Sequence, residues 1–204
     1  MAAQKEIKTD RRNQILFLAG EIFSRKGFHN ASVSDIIQRA GIARGTFYLY
    51  FANKRDIFDS LLNEVVDELR DRIRPIDLQQ GQPDPIVQLK ENLHRVFEFL
   101  TQNPALTQIL LHHAAGLDQK TSNLLKTFYG RVLDMIQSSL DHGIRMGLVR
   151  PCDTRILASG VMGIMKEVAD QLTGQPQQNP PIDQVVEELI TFGLWGVFVQ
   201  PRRA

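Results

Sequence analysis

The side chains able to do covalent or metal chemistry are few and scattered. His94, His112, His113 and His142 include no i, i+4 pair of the kind that grips zinc from one helix face, and none adjoins a cysteine or a carboxylate cluster. The single cysteine, Cys152, follows Pro151 with no neighbouring histidine to activate it as a nucleophile. No glycine-rich loop of phosphate-cradling form occurs. No nucleophile, base and orienting group can be assembled, so a helical enzyme is the weakest reading, with no metal and no cofactor called for. A different chemistry is concentrated between residues 32 and 54. Arg44 can fork onto a guanine edge or a phosphate, and Gly45 removes the Cβ that would hold a backbone away from DNA. Ser34, Thr46, Tyr48 and Tyr50 supply hydroxyls, and Lys54, at the start of a helix, is placed for a phosphate that the helix's free amides would also attract.

These residues need particular elements to hold them. Val33, Ile36, Ile37 and Ala40 recur at helical spacing, and Ser32 with Asp35 three residues on forms a capping box that starts a short helix. Gly41 breaks it, and residues 44 to 51 make a second short helix. Together they form a helix-turn-helix, with the motif at about 32–51, whose second helix must be slim enough to enter a major groove. Phe47 and Phe51, four apart, point into the small core beneath it. The preceding helix carries Ile15, Leu18, Ala19, Ile22 and Phe23 and should end near Lys26, where Gly27 follows. Asn53 and Asp56 cap a long helix carrying Ile57 through Ile73.

Charge follows the same division. The chain as a whole has 24 basic and 23 acidic residues, a net of +1, yet residues 1–55 hold ten basic and four acidic groups, a net of +6. The remaining 149 residues hold 14 and 19, a net of −5. Lys5, Lys8, Arg11, Arg12, Arg25, Arg39, Arg44, Lys54 and Arg55 give the small part the footprint of a phosphate-binding surface.

The segment resembles the tetracycline-repressor (TetR/AcrR) family of bacterial transcriptional regulators. The likeness runs over about 50 residues, through Ile15, Ala19, Phe23, Gly27-Phe28, Ser32-Val33, Ile36, Ala40-Gly41-Ile42, Gly45-Thr46-Phe47-Tyr48, Tyr50-Phe51, Lys54 and Ile57. Two positions depart from the pattern. Ala43 stands where a capping side chain is usual, and Ile37 replaces a small residue. The resemblance implies a homodimer on a palindromic double-stranded operator, released when a small molecule binds the C-terminal domain.

Beyond residue 55 the helical periodicity continues without motifs. The expected architecture is all-α with about nine helices, a three-helix DNA-binding domain at 1–55 and a ligand-binding and dimerisation domain at 56–204. An apolar or amphipathic ligand would meet Phe97, Leu100, Phe128, Met135, Met162 and Met165, oriented by His94 and His113. Small residues at Gly160 and Gly196, with Ile164, Leu189, Phe192 and Trp195, predict a four-helix interface built from the last two helices of each chain. The rival reading keeps the DNA-binding half and makes the rest a protein-interaction module without a ligand. The N-terminal residues mix charges and lack the apolar stretch of a signal peptide, and no apolar run reaches the roughly 18 to 20 residues of a membrane span, so the expected compartment is the cytoplasm.

Overall fold

The computed structural model of the chain describes residues 2–112, 118–174 and 179–195. Among them are nine α-helices and no strand: α1 (Ala2–Asn30), α2 (Val33–Ala40), α3 (Arg44–Tyr48), α4 (Lys54–Arg72), α5 (Pro85–Gln102), α6 (Pro104–His112), α7 (Gln119–Arg145), α8 (Thr154–Gly174) and α9 (Ile182–Trp195). The all-α expectation holds, with the N-terminal helix-turn-helix in place.

Local chemistry explains the boundaries. Gly27 breaks α1 with φ 75° and ψ 153°, close to where the sequence pattern stops, and one further turn carries the helix to Asn30. Ser32 starts α2: its hydroxyl accepts from Asp35 N at 3.1 Å while the Asp35 carboxylate accepts from Ser32 N at 2.8 Å. Gly41 ends α2 in the left-handed region at φ 61°. Asn53 caps α4 by accepting from Arg55 N and Asp56 N, Asp84 caps α5, and Asp118 caps α7. Asp153 accepts from Arg155 N and Ile156 N at the head of α8. Asn179, Pro180 and Pro181 lie outside a helix just before α9, as the prolines require.

One apolar core runs from the small N-terminal unit into the body. Ile15, Ala19, Phe23, Phe47, Phe51, Phe58, Val65 and Val66 belong to it, and so do Phe99, Ile109, Leu125 and Phe128. Phe23, Phe28 and Phe58 meet edge-on or tilted, with ring centroids 4.8 to 6.2 Å apart. Helix α4 carries this continuity, since seven of its residues are buried and it packs against α1, α5 and α7. A second, smaller cluster of Phe97, Leu172, Val186 and Ile190 joins α5, α8 and α9. No helix among the described residues is long and apolar enough to cross a membrane.

Candidate nucleic-acid interface

Helix α3 is five residues long and is held from below. Phe47 is fully buried and meets Phe51 and Tyr48 at centroid distances of 6.2 and 5.2 Å. With its underside anchored, α3 turns Arg44, Gly45 and Tyr48 outward. The Arg44 guanidinium carbon lies 5.9 Å from the Tyr48 ring centroid, so the cation and the ring form one exposed unit. Ala43 precedes the helix with no side-chain cap, so the first amides of α3 have no side-chain acceptor at the N-cap. A Cβ built on Gly45 would meet nothing within 4 Å. The fold itself therefore does not require a glycine there. Ser34 is exposed on α2, Thr46 is half-buried, and Tyr50 is half-buried against the core.

Lys54 occupies a different position from the phosphate site that its place in the sequence suggests. Its ammonium donates to Phe28 O at 2.6 Å, Ala31 O at 2.7 Å and His29 O at 3.1 Å, and it lies 4.5 Å from the centroid of the Phe28 ring. A lysine has three N–H donors, and here all three serve carbonyls at the end of α1 and just beyond it. Burial lowers the pKa of this ammonium, opposed by the charge of Asp118. Sequence reasoning missed this clasp, because the carbonyls it serves lie beyond Gly27, in the further turn of α1 and at Ala31.

Much of the N-terminal basic charge is tied up within the protein. Lys26 pairs with Asp35 at 2.7 Å, Arg39 with Glu21 at 3.3 Å, Arg12 with Glu64 at 3.3 Å, and Arg55 with Asp118 at 2.9 Å. Lys26 and Ser32 together hold the Asp35 carboxyl down to about 2. Among the described side chains of this unit, Arg25 and Arg44 are the two cations with neither an ion pair nor a hydrogen bond. Leu49, just beyond α3, is 72% exposed and was not singled out from the sequence.

This is the geometry of a helix-turn-helix presenting a short second helix. Residues 15–61 match the family model described as bacterial regulatory proteins, tetR family. The chain carries the DNA-binding unit of the tetR family. It is accordingly a DNA-binding transcriptional regulator. It is 28% identical over 186 residues to the fatty acid metabolism regulator protein of Bacillus subtilis, spanning 89% of this chain and 94% of that one. It is 27% identical over 166 residues to the nucleoid occlusion factor SlmA of Vibrio campbellii, spanning 80% and 83% of the two chains. In fold it matches the B. subtilis regulator FadR, solved in complex with stearoyl-CoA, with a TM-score of 0.73, 20% identity and coverage of 91% and 98%.

The ligand-facing set nominated from the tetR-like sequence is divided by the structure. Leu100, Phe128, Met135 and Met165 lie in or against the large core. Phe97 is fully buried in the second cluster, which Met165 also touches, and Met162 is half-buried. His94 lies midway along α5, with Nε2 3.2 Å from the Asp183 carboxylate of α9. His113 lies outside the described residues. A cleft of about 240 Å³ is found elsewhere, at the α4–α5 connection between Arg74, Asp77, Gln88 and Arg95.

The nominated dimer residues cluster on α8 and α9. A Cβ on Gly160 or Gly163 would meet nothing within 4 Å. Around them Ile156 is 68% exposed, and Leu157, Val161, Phe192 and Leu194 are also exposed. Ile164 is half-buried, and Leu189 is half-buried against the second cluster. Gly196 and the Trp195 side chain fall outside the described residues. Ile156 and Leu157, which the sequence did not single out, lie four residues before Gly160 and Val161, on the same helix face.

Proposed function

We propose that the chain is a cytoplasmic repressor that binds a palindromic operator as a homodimer and leaves it when an acyl thioester of coenzyme A binds the helical body. The division at residue 55 then separates the part that holds DNA, 1–55, from the part that dimerises and senses, 56–204. Arg44 takes a base edge or phosphate, Gly45 permits close approach, and Ser34, Thr46, Tyr48 and Tyr50 give hydroxyls to the backbone. Lys54 acts here by fixing the end of α1 against α4, with the first amides of α4 beside it. The observation that carries the reading is the combination at α3: a glycine the fold does not need, flanked by a cation with no ion-pair partner and an exposed tyrosine.

The exposed apolar stripe on α8 and α9 supports self-association, because water-facing Ile156, Phe192 and Leu194 gain most by covering one another across a twofold axis. The acyl-CoA ligand is supported by the likeness to the fatty acid metabolism regulator of B. subtilis and to the structure of B. subtilis FadR solved with stearoyl-CoA. A ligand of that kind has an apolar tail suited to the Leu100, Phe128, Met135 and Met165 region, where flexible methionines can move aside. Release then requires that the ligand prefer a conformation that fits the operator poorly.

The experiment is a binding titration on the duplex that the full-length chain selects from a random DNA pool. Tight, salt-sensitive binding by a dimer, weakened by stearoyl-CoA and not by free coenzyme A, is expected. Failure to select any duplex would overturn the DNA reading. Selection without any acyl-CoA effect would favour the second reading, a DNA-binding chain whose body docks a protein, which the likeness to SlmA supports.

A further inference from the structure

Beside the packing of α1 on α6 and the reach of Arg12 to Ser60 and Glu64, the DNA-binding half meets the helical body at a further polar contact that no motif announces. Arg55 is the second residue of α4, four positions beyond Phe51. Its Nη2 donates to Asp118 Oδ2 at 2.9 Å, and its Nε donates to Thr121 Oγ1 at 3.3 Å. Asp118 is already the cap of α7: its other oxygen, Oδ1, accepts from Thr121 N at 2.9 Å and from the Thr121 hydroxyl at 3.2 Å. Thr121 has no exposed surface. One carboxylate thus grips two helix starts, one oxygen for each.

The arrangement also solves an electrostatic problem. The N-terminal ends of α4 and α7 both carry positive dipole ends, and Lys54 and Arg55 add two cations at the same place. Asp56, in the first turn of α4, is one anion there, and Asp118 is the one that joins the two helices. The backbone amide of Thr121 and the guanidinium of Arg55 hold its carboxyl down to about 2, so it stays charged throughout the physiological range. Farther along α4, Arg131 of α7 donates to Asn63, and Arg12 of α1 donates to Ser60 and Glu64. Those contacts act at the middle of α4. Among the described residues, the Arg55–Asp118 pair is the ion pair between α4 and α7 at the end adjoining the helix-turn-helix.

We infer that Arg55 and Asp118 are positioning residues that set the angle of the helix-turn-helix on the helical body, and with it the separation of the two recognition helices in a dimer. The inference rests on the dimeric DNA-binding reading above. Adding one base pair between half-sites shifts one of them by about 3.4 Å and turns it by about 34°, so a fixed angle is read out as a preferred spacing. Both side chains are partly exposed, at 40% and 54%, and such a pair contributes little to global stability. Its loss should appear in geometry.

The test uses the duplex selected by the wild-type chain and copies of it with the central spacer altered by one or two base pairs. Wild type should prefer the selected spacing to its one-base-pair neighbours by about tenfold or more, a coupling of ordinary size. Arg55→Gln and Asp118→Asn, the latter keeping the oxygen that caps α7, should each cut that preference to below about threefold, and the double variant should cut it no further. Arg55→Lys, which keeps charge without the second hydrogen bond, should fall between. Unchanged spacing preference in Asp118→Asn overturns the inference while leaving the DNA reading intact. So does a uniform loss of affinity at every spacing in Arg55→Gln with Asp118→Asn silent, which would make Arg55 a phosphate contact. Selection of no duplex by wild type fails the underlying reading and the inference together, and binding without any spacing preference fails the inference alone.

Discussion

Helices α3 and α8 each expose residues the fold does not use, and the kind of residue differs. At α3 the surplus is a cation, a glycine and a phenol, set above the fully buried Phe47. On α8 and α9 it is aliphatic and aromatic, led by Ile156 at 68% exposure. The first surface suits a charged, hydrated partner, whose phosphates and base edges replace water's hydrogen bonds. The second suits a partner that removes water altogether. Tight internal pairing makes the contrast clean, because Lys26, Arg39, Arg12 and Arg55 are engaged within the protein and leave Arg44 conspicuous.

The comparison can be broken from several sides. Phe47→Ala should remove the support beneath α3 and cost about 3 to 5 kcal/mol in denaturant unfolding, because a fully buried phenylalanine leaves a cavity. Charging the apolar stripe with Ile156→Glu and Phe192→Glu together should give a monomer by sedimentation and weaken operator binding by about 100-fold or more, as two linked half-sites become one. A double variant that stays dimeric would show that the stripe is not the interface. Ser32→Ala should cost about 1 kcal/mol of stability through the lost cap on α2, with the α8–α9 surface untouched. The smallest effect is in acid. Asp35 and Asp118 both ionise with pKa held at about 2, below the ordinary 3.8, so each binds its proton more weakly in the folded chain than in the unfolded one. Their contribution to stability is complete above about pH 4 and is lost as pH falls toward 2. Asp35→Asn should flatten that part of the stability profile, read by circular dichroism.

Local rules made much of this legible before any coordinates. Ser32 and Asp35 are three residues apart, Gly41 must adopt positive φ to stop α2, and Phe47 and Phe51 lie one turn apart, so α2 and α3 follow from short-range geometry. What stayed hidden depends on residues distant in sequence. Lys54 finds its carbonyls more than twenty residues back, and Arg55 finds Asp118 sixty-three residues on, separations at which no periodicity carries information. The apolar residues nominated for a ligand illustrate the same limit. Phe97 and Phe128 are both large, apolar and on helices, yet they lie in different clusters, and only the packing of α5 against α9 decides it. Leu49 was passed over because a single leucine after a short helix carries no pattern, whereas its 72% exposure beside Tyr48 is visible at once in three dimensions.

The central claim is that α3 reads DNA through its exposed arginine. Its most direct test is the affinity of wild type and Arg44→Ala for the selected duplex and for a scrambled duplex of equal length, each measured across a salt series. The account predicts a loss of about 1 to 3 kcal/mol on the selected duplex, a much smaller loss on the scrambled one, and steep weakening with salt for both proteins. Equal affinities of wild type and Arg44→Ala for the selected duplex, with no dependence on salt, would contradict it.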